Sequence, residues 1–260
     1  MNVHFFKYQG TGNDFIIVDC RELNPSIFSA KVIKSLCDRR FGIGADGLML
    51  FLYHNDMDFE MKYFNSDGNE GTMCGNGGRC IVAFAKKLGI IEHTATFLAI
   101  DGIHEATIDM DNIVRLKMQD VIEVERNRPN YFLNTGSPHY VNFMEDIDHL
   151  DVYSEGKKIR NNVRFKKEGT NVNFAHVNNN EIYVRTYERG VEDETLSCGT
   201  GVVATAISAG FYRESDISSY KINTLGGRLK VSFKKVNENR FENIWLEGPA
   251  EFVFKGEIEI

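Results

Sequence analysis

Hydrophobic and polar residues alternate along much of the chain, and this period of two predicts a protein built mainly from β-strands. The clearest case is the segment 59–64, where Phe59, Met61 and Tyr63 alternate with their neighbours, whereas the segment 48–52 is wholly apolar. Further strands are predicted at residues 3–8, 15–19, 94–100, 105–110, 113–118, 140–143, 172–177, 182–187, 222–224, 228–233, 252–254 and 257–260.

Four segments between these strands have the period of a helix, at residues 29–38, 81–88, 153–160 and 202–209. Ser29 is suited to cap the first of them, and Gly89 and Gly210 are suited to close the second and the fourth. The second and fourth helices each follow a cysteine, Cys74 or Cys198, that stands in a Gly-rich loop. The pattern therefore places a cysteine at the start of two helices.

The two halves of the chain repeat this order at a nearly constant spacing. Four pairs of residues are 124 or 125 positions apart: Cys74 and Cys198, Thr11 and Thr135, Gly102 and Gly226, Gly44 and Gly169. Matches in the same order indicate an internal duplication. The sequence predicts an α+β fold of two pseudo-symmetric domains, each a mostly antiparallel sheet wrapped around a central helix. The expected domains are residues 1–122, completed by a C-terminal strand at about 251–260, and residues 123–250, with the boundary in the charged segment 121–130.

Composition and charge narrow the function classes. The net charge of −7 argues against a nucleic-acid partner, and no apolar run reaches the roughly 18 residues that a membrane span needs. The first residues lack the charged start and long apolar core of a signal peptide. The five cysteines are odd in number and scattered, so no disulfide framework is expected, and the cytoplasm is the expected compartment.

A cysteine at the start of a helix suggests a reactive thiol. The N–H groups of a helix N-terminus and its partial positive charge lower a thiol pKa from about 8.5 and attract carboxylates. One such loop is more often a tight turn with a buried structural cysteine, but the repeated arrangement favours the reactive interpretation. Two such domains are expected to bring both thiols to one cleft, where one group takes a proton next to a carboxylate and another returns one to the opposite face. His139 and Glu188 are candidate bases, although a structural histidine and a solvated turn residue are the simpler interpretations.

The ordered motifs resemble the diaminopimelate epimerase family over nearly the whole chain. A Cys-Gly-Asn-Gly segment alone is a weak signal, but the ordered set with a cysteine at each helix start is highly specific. The motifs are Gly12-Asn13-Asp14-Phe15, Gly44-Ala45-Asp46-Gly47, Phe64-Asn65-Ser66-Asp67-Gly68, Met73-Cys74-Gly75-Asn76-Gly77, Gly136-Ser137-Pro138-His139, Asn171, Glu188-Arg189-Gly190 and Cys198-Gly199-Thr200-Gly201.

The resemblance implies an enzyme of lysine and peptidoglycan-precursor synthesis that interconverts LL- and meso-diaminopimelate without a metal or cofactor. It implies that the thiols of Cys74 and Cys198 are the acid/base groups, activated by His139 and Glu188. The implied contacts to the carboxylate at the reacting carbon are Gly75, Asn76, Gly199 and Thr200. The implied contacts to the other polar groups of the substrate are Asn13, Asn65, Asn171, Glu188, Arg189 and Ser137. A homodimer is the expected assembly, with no nucleic acid or membrane partner.

Two features depart from the family pattern. Ser137 stands where the family often has asparagine before Pro-His, so an amide becomes a hydroxyl. The loop 191–195 is one residue longer than the usual one and lacks its glycine, which bears on the placement of Glu188. Gly47 stands where relatives often carry glutamine, and no contact is assigned to it.

Other functions stay open at this point. A proline racemase-like enzyme also uses two cysteines but does not need the set of asparagines and arginine that would recognise a distal centre, and phenazine-biosynthesis-like isomerases lack the thiol pair. A thiol redox protein is disfavoured because five residues separate Cys74 from Cys80. A phosphate or nucleotide binder is disfavoured because neither a P-loop nor a dinucleotide fingerprint lies between a strand and a helix.

Overall fold

The computed structural model describes all 260 residues, and it consists of strands with four α-helices. The helices are α1 (Ala30–Cys37), α2 (Gly75–Lys87), α3 (Val152–Arg160) and α4 (Gly199–Tyr212). The strands are β1 (Asn2–Gly10), β2 (Asn13–Asp19), β3 (Gly47–Leu52), β4 (Phe59–Asn65), β5 (Thr94–Ala99), β6 (Gly102–Ile108), β7 (Ile113–Lys117), β8 (Val124–Asn127), β9 (Asn130–Asn134), β10 (Pro138–Phe143), β11 (Asn171–Asn178), β12 (Glu181–Glu188), β13 (Asp193–Thr195), β14 (Ser219–Thr224), β15 (Gly227–Lys235), β16 (Phe241–Pro249) and β17 (Glu251–Glu259).

The chain divides into two compact units, Met1–Leu116 with Gly248–Ile260, and Lys117–Glu247. In the first unit the strands pair in the order β17, β1, β2, β3, β4, β5, β6, β7. The pairs β2–β3 and β4–β5 are parallel and the others are antiparallel. Helix α2 lies against β1 and β2 and is buried from Gly75 to Ala85. It is therefore the central helix of this unit.

The second unit repeats the same pairings. Strands β8 to β12 pair in order and continue through β14, β15 and β16, and the parallel pairs are again β10–β11 and β12–β14. Helix α4 is buried almost from end to end and takes the place that α2 has in the first unit. The repeated order of elements and pairings confirms the predicted α+β fold and duplication. The short strand β13, which pairs with β12, is an addition to the second unit.

Local sequence accounts for several element ends. The Ser29 hydroxyl accepts a hydrogen bond from the N–H of Val32 at 3.4 Å, as expected of a helix cap. Gly89 follows α2 with φ of +71°, the left-handed conformation that a helix-closing glycine adopts. Thr11 and Gly12 turn β1 into β2 with φ of +51° and +84°. The start of α1 and the end of α2 agree with the predicted ones. Helix α2, however, begins at Gly75 rather than at residue 81, and the turn between β1 and β2 is shorter than predicted.

The fourth helix was predicted wrongly at both ends. Helix α4 begins at Gly199, directly after Cys198, and passes through Gly210 to Tyr212. The extra turn is held by aromatic packing, since the ring of Tyr212 stacks on Phe143 with 4.5 Å between centroids. The chain then reverses at Glu214, which has φ of +50°. Packing of the last turn thus overrides the stop signal of Gly210.

Four further strands were not predicted, namely β8, β9, β13 and β16. Strand β8 lies in the charged segment 121–130, where Val124 is its one buried residue. The two predicted closing strands form the single strand β17, which pairs with β1 in the first unit.

None of the four helices has the length and apolar character needed to cross a bilayer.

Candidate active site

In the first unit Cys74 is the N-cap residue of α2, in extended conformation, and its side chain does not cap the helix. Its sulfur is 3.7 Å from Asn13 Oδ1, which also accepts a hydrogen bond of 3.3 Å from Asn76 Nδ2. The side chain of Cys74 is partly exposed, whereas Asn76 is buried. Three residues expected at the site, Cys74, Asn76 and Asn13, are therefore brought together by the turn before β2 and the first turn of α2.

Asn13 is oriented by a network of charges behind it. Its Nδ2 donates to Asp46 Oδ2 at 2.6 Å, and Asp46 is bound by Arg39 at 2.7 Å. Arg39 also binds Asp14 through both of its terminal nitrogens, and Lys7 contacts Asp14 at 2.7 Å. Burial acts to raise the pKa of Asp14, but the hydrogen bonds from Arg39 and Lys7 outweigh it and lower that pKa to about 2. Because Asp46 can only accept, Asn13 must turn Oδ1 toward the thiol.

A buried arginine supports the first turn of α2. Arg79 has no exposed surface, and its donors reach Gly75 O at 3.2 Å, Thr11 Oγ1 at 3.2 Å, Asn76 Oδ1 at 3.1 Å and Pro249 O at 3.3 Å. All four acceptors are uncharged. Burial lowers the pKa of this guanidinium, while the neighbouring thiols Cys80 and Cys74 favour its charged form. Arg79 therefore fixes the carboxamide of Asn76 and places a positive charge behind Cys74.

In the second unit Cys198 is the N-cap residue of α4, again without a side-chain cap. The thiol is buried, and its sulfur lies 3.6 Å from Thr200 Oγ1. Gly199, Thr200 and Gly201 form the first turn of α4, where backbone N–H groups have no partner within the helix. Each unit thus presents a cysteine at the N-terminus of its central helix.

His139 lies in a cluster of polar side chains next to Cys198. Its Nε2 is 2.9 Å from Thr200 Oγ1 and 3.0 Å from Ser137 Oγ, and these two hydroxyl oxygens are 3.1 Å apart. Asn171 Nδ2 donates to Ser137 Oγ at 3.2 Å, and Asn171 Oδ1 accepts the N–H of Arg189 at 2.8 Å. The parallel pairing of β10 with β11 sets His139 directly beside Asn171. The polar cluster around Cys198 is therefore assembled from β10, β11, the end of β12 and α4.

Glu188 is the last residue of strand β12, and Arg189 follows it. Glu188 Oε2 accepts the Thr195 hydroxyl at 2.9 Å, because β13 folds back on β12. The side chain of Arg189 is exposed and donates to Glu168 O at 3.0 Å. In the first unit Asn65 ends β4 in the same way and is exposed.

The loop after Gly190 contains a residue in the left-handed conformation, Glu192. Glu192 adopts φ of +58°, a conformation that costs a non-glycine residue free energy. Its carboxylate compensates, since it accepts from the N–H of Gly190 at 3.1 Å and the Tyr187 hydroxyl at 3.2 Å, and it pairs with Arg160 at 3.3 Å. The altered loop is therefore a closed turn.

Two residues at the site were not predicted, Asn173 and Arg79. Asn173 lies within the buried strand β11, where it contacts His139 Nδ1 at 3.1 Å and accepts the Thr186 hydroxyl at 3.0 Å. Each is a polar side chain next to apolar residues in a buried stretch of its element. A buried polar group needs a hydrogen-bond partner, and here the partners include His139 for Asn173 and Asn76 for Arg79.

Burial of His139 predicts a loss of stability in acid. Desolvation and the charge of Arg189 lower the pKa of His139 in the folded protein from 6.5 to about 3. Between pH 6.5 and pH 3 the unfolded chain therefore binds a proton on this ring that the folded protein does not bind. The free energy of unfolding is unaffected above pH 6.5 and falls as the pH drops from 6.5 toward 3, by at most about 1.4 kcal/mol per pH unit. In urea unfolding at pH 7 and pH 5, wild type should lose about 2 kcal/mol more than His139→Gln. Equal losses would contradict this burial.

A methyl group at Gly201 would collide with the cluster. A Cβ there would lie 2.4 Å from Asn173 Oδ1 and 3.3 Å from Cys198 Cβ. Gly201→Ala should therefore lower the free energy of unfolding by about 1–3 kcal/mol, although alanine favours helices. Gly210→Ala in the same helix is the matched control, because a Cβ there would have its nearest neighbour, Ser215 O, 3.7 Å away. This substitution should raise the free energy of unfolding by up to about 1 kcal/mol. Equal effects of the two substitutions would exclude a packing role for Gly201.

Comparisons with known proteins identify the family of the chain. The family model described as diaminopimelate epimerase matches residues 5–123 and 131–253. A diaminopimelate epimerase from Flavobacterium psychrophilum is 54% identical over 252 residues, covering 96% of this chain and 98% of the relative. Another from Chlorobaculum tepidum is 40% identical, covering 96% of this chain and 99% of the relative.

Solved structures share the fold at low sequence identity. A phenazine biosynthesis protein of the PhzF family from Bacillus anthracis has a TM-score of 0.77 at 16% identity, with all of both chains covered. A probable proline racemase from Agrobacterium radiobacter has a TM-score of 0.73 at 13% identity, covering 99% of this chain and 93% of that one. These likenesses confirm the two-domain architecture and carry no information about the substrate.

Proposed function

Because the chain belongs to the diaminopimelate epimerase family, we propose that it inverts one α-carbon of diaminopimelate, interconverting the LL and meso isomers. The observation that carries this function is the arrangement around a cysteine that the two units repeat. A cysteine caps the central helix of each unit, and polar residues of the family motifs surround each thiol. This arrangement supplies two separate groups for the two proton transfers of a stereochemical inversion.

We propose that the two thiols exchange acid and base roles between the two directions. One of Cys74 and Cys198 is a thiolate that takes the α-proton, and the other is a thiol that delivers a proton to the opposite face. Helix N-termini favour the thiolate form and bind carboxylates. The N–H groups at Gly75 and Asn76 and at Gly199 and Thr200 would therefore hold the carboxylate of the reacting carbon and stabilise the negative charge that develops as this carbon becomes planar.

Glu188 and His139 are proposed as the side chains that assist the thiols. The carboxylate of Glu188 is held by the Thr195 hydroxyl, and as a base it would take up a thiol proton. His139 is neutral at the pH of the cytoplasm, because its burial lowers its pKa to about 3. A neutral ring can serve as hydrogen-bond donor at one nitrogen and acceptor at the other.

The distal end of the substrate carries a second carboxylate and a second amino group. We propose that Asn13, Asn65, Asn171, Arg189 and Ser137 recognise these groups. The guanidinium of Arg189 is exposed and suits a bidentate carboxylate contact. The side chain of Ser137 is shorter than that of the asparagine common in the family. Its hydroxyl also contacts His139 and Thr200, so we propose that it holds this cluster in place as well.

The proposed function is tested by incubating the purified protein with LL-diaminopimelate under reducing conditions and separating the isomers chromatographically. Formation of the meso isomer up to an equilibrium mixture is expected. L-Proline and trans-4-hydroxy-L-proline serve as competing substrates, because proline racemase-like proteins share the fold. Inversion of either one with no change in diaminopimelate would overturn the substrate assignment.

We also propose the cytoplasm as the compartment, since the proposed two-thiol mechanism needs reduced thiols. A homodimer is the proposed assembly. Light scattering at micromolar protein concentration tests it, and the mass of a single chain would exclude it.

A further inference from the structure

Asn173, in the middle of β11, lies directly behind the ring of His139. It is fully buried, and its Nδ2 is 3.1 Å from His139 Nδ1 and 3.1 Å from the backbone oxygen of Tyr140. Its Oδ1 accepts the Thr186 hydroxyl at 3.0 Å. A backbone carbonyl can only accept, so the side that faces Tyr140 O must be the NH₂ group. The orientation of the carboxamide is therefore determined by its surroundings.

The same NH₂ group faces the histidine. One hydrogen of Nδ2 goes to Tyr140 O, and the other points at His139 Nδ1. A ring nitrogen that meets an N–H donor must be the acceptor, so the neutral ring of His139 carries its proton on Nε2. The opposite tautomer would set two N–H groups against each other inside a buried cluster, which is costly.

The proton on Nε2 orders the rest of the cluster. It points at the hydroxyls of Thr200 and Ser137, which are 2.9 and 3.0 Å away. Asn171 donates one hydrogen of Nδ2 to Ser137 Oγ and the other to Pro138 O, each at 3.2 Å, and the N–H of Arg189 on Oδ1 fixes this orientation. Neither hydrogen is therefore donated to His139 Nε2, which lies farther from Nδ2, at 3.4 Å. Ser137 Oγ accepts from Asn171 and shares the Nε2 hydrogen with Thr200. Its own hydrogen is then directed to Thr200 Oγ1, and the Thr200 hydrogen to Cys198 Sγ, at 3.1 and 3.6 Å.

We propose that Asn173 is a positioning residue, which holds the proton of His139 on Nε2 and thereby directs a chain of hydrogen bonds through Ser137 and Thr200 onto the sulfur of Cys198. Hydrogen bonds donated to a sulfur favour its thiolate. Reversal of the ring tautomer would turn the Thr200 hydrogen toward the histidine and away from Cys198. The importance of this chain for turnover rests on the proposed role of Cys198 as an acid/base thiol, whereas the direction of the chain does not.

The arrangement is locked on its other sides. Gly201, in the first turn of α4, leaves the space that Asn173 Oδ1 occupies, since a Cβ there would be 2.4 Å away. Glu188 ends β12, the strand next to β11, and Arg189 follows it. The charge of Arg189 opposes a second proton on His139. The ring is therefore kept neutral while Asn173 selects its tautomer.

The first test is an NMR measurement on the wild-type protein with ¹⁵N-labelled histidine, where His139→Gln identifies the signals. At pH 7 the spectrum should show a protonated Nε2 and an unprotonated Nδ1 for His139. A proton on Nδ1, or a ring protonated on both nitrogens, would overturn the proposal without any variant at Asn173.

The second test measures the alkylation rate of Cys198 by peptide mass spectrometry as a function of pH. Asn173→Ala should give a mixture of His139 tautomers and a Cys198 alkylation rate lowered several-fold to about tenfold at pH 7, which corresponds to a pKa raised by up to about one unit. Asn178→Ala, at an exposed position of the same strand, should leave both readouts unchanged. Unchanged tautomer and alkylation rate in Asn173→Ala would contradict the proposal. Both readouts are independent of the substrate, so an inactive protein with the expected tautomer would contradict the proposed function alone.

Discussion

Replacing either Cys74 or Cys198 with serine should lower kcat/KM for epimerisation by about 10²–10⁴-fold, the range typical of a lost acid/base group. Serine preserves the size and position of the side chain at the N-terminus of α2 or α4. Its hydroxyl, however, does not ionise near neutral pH, so the variant lacks one of the two proton-transfer groups. The initial rates of LL-to-meso and meso-to-LL conversion measure the loss in each direction.

The matched control is Cys20→Ala, which removes a buried thiol whose pKa burial raises to about 12. This thiol is neither ionised nor at a helix start, and its loss should leave kcat/KM within a few-fold of wild type. Full activity in Cys74→Ser or in Cys198→Ser would exclude the two-thiol mechanism. A loss of similar size in Cys20→Ala would attribute the effect to stability.

Replacing Arg79 with alanine should lower the free energy of unfolding by at least about 3 kcal/mol, because buried acceptors lose their donors and a cavity forms. The acceptors include Thr11 Oγ1 and the backbone oxygens of Gly75 and Pro249, which lie far apart in the sequence. The activity should fall further than stability explains, since Asn76 loses the hydrogen bond that orients it beside Cys74. Urea unfolding and kcat measured at a temperature where the variant is folded separate the two effects.

Arg40→Ala is the control for Arg79. Arg40 is an exposed arginine of the same unit, and its replacement should change the free energy of unfolding by no more than about 0.5 kcal/mol. If Arg79→Ala were as mild as Arg40→Ala, the hydrogen bonds of the buried guanidinium would not contribute to the stability of the first turn of α2.

Much of the fold followed from local patterns in the sequence. Alternation gave most strands, Ser29 and Gly89 marked helix ends, and the constant spacing of Cys74 and Cys198 predicted the duplication that the strand pairings confirm. Signals of this kind act over a few residues, or they recur because one unit copies the other. They are therefore readable without knowledge of long-range contacts.

The differences arise where a distant contact decides the local structure. Gly210 stops a helix by local rules, yet α4 continues because Tyr212 stacks on Phe143. Strand β8 has one buried residue and forms because β9 pairs with it, although its charged residues are typical of a linker. In both places packing with another element outweighs the preference of the segment itself.

The candidate residues were predicted as a set, but their partners were not. Resemblance placed Cys198, Thr200 and His139 at the site, and the assembly of these three residues depends on the parallel pairing of β10 with β11 and on the first turn of α4. Asn173 is separated from His139 by more than thirty residues in the sequence. No local pattern relates the two, so the tautomer of the histidine could be derived from the three-dimensional arrangement alone.

The most direct test of the two-thiol epimerase is isotopic. LL-Diaminopimelate is incubated with the reduced protein in D₂O, and the meso product and the remaining LL substrate are analysed by mass spectrometry at low conversion. The two-thiol mechanism predicts one deuterium at the inverted α-carbon of the meso product and none in the recovered LL substrate, because the delivering thiol exchanges with solvent while the abstracted proton stays on the other thiol. Protium retained in the meso product, or deuterium appearing equally in both isomers, would contradict it.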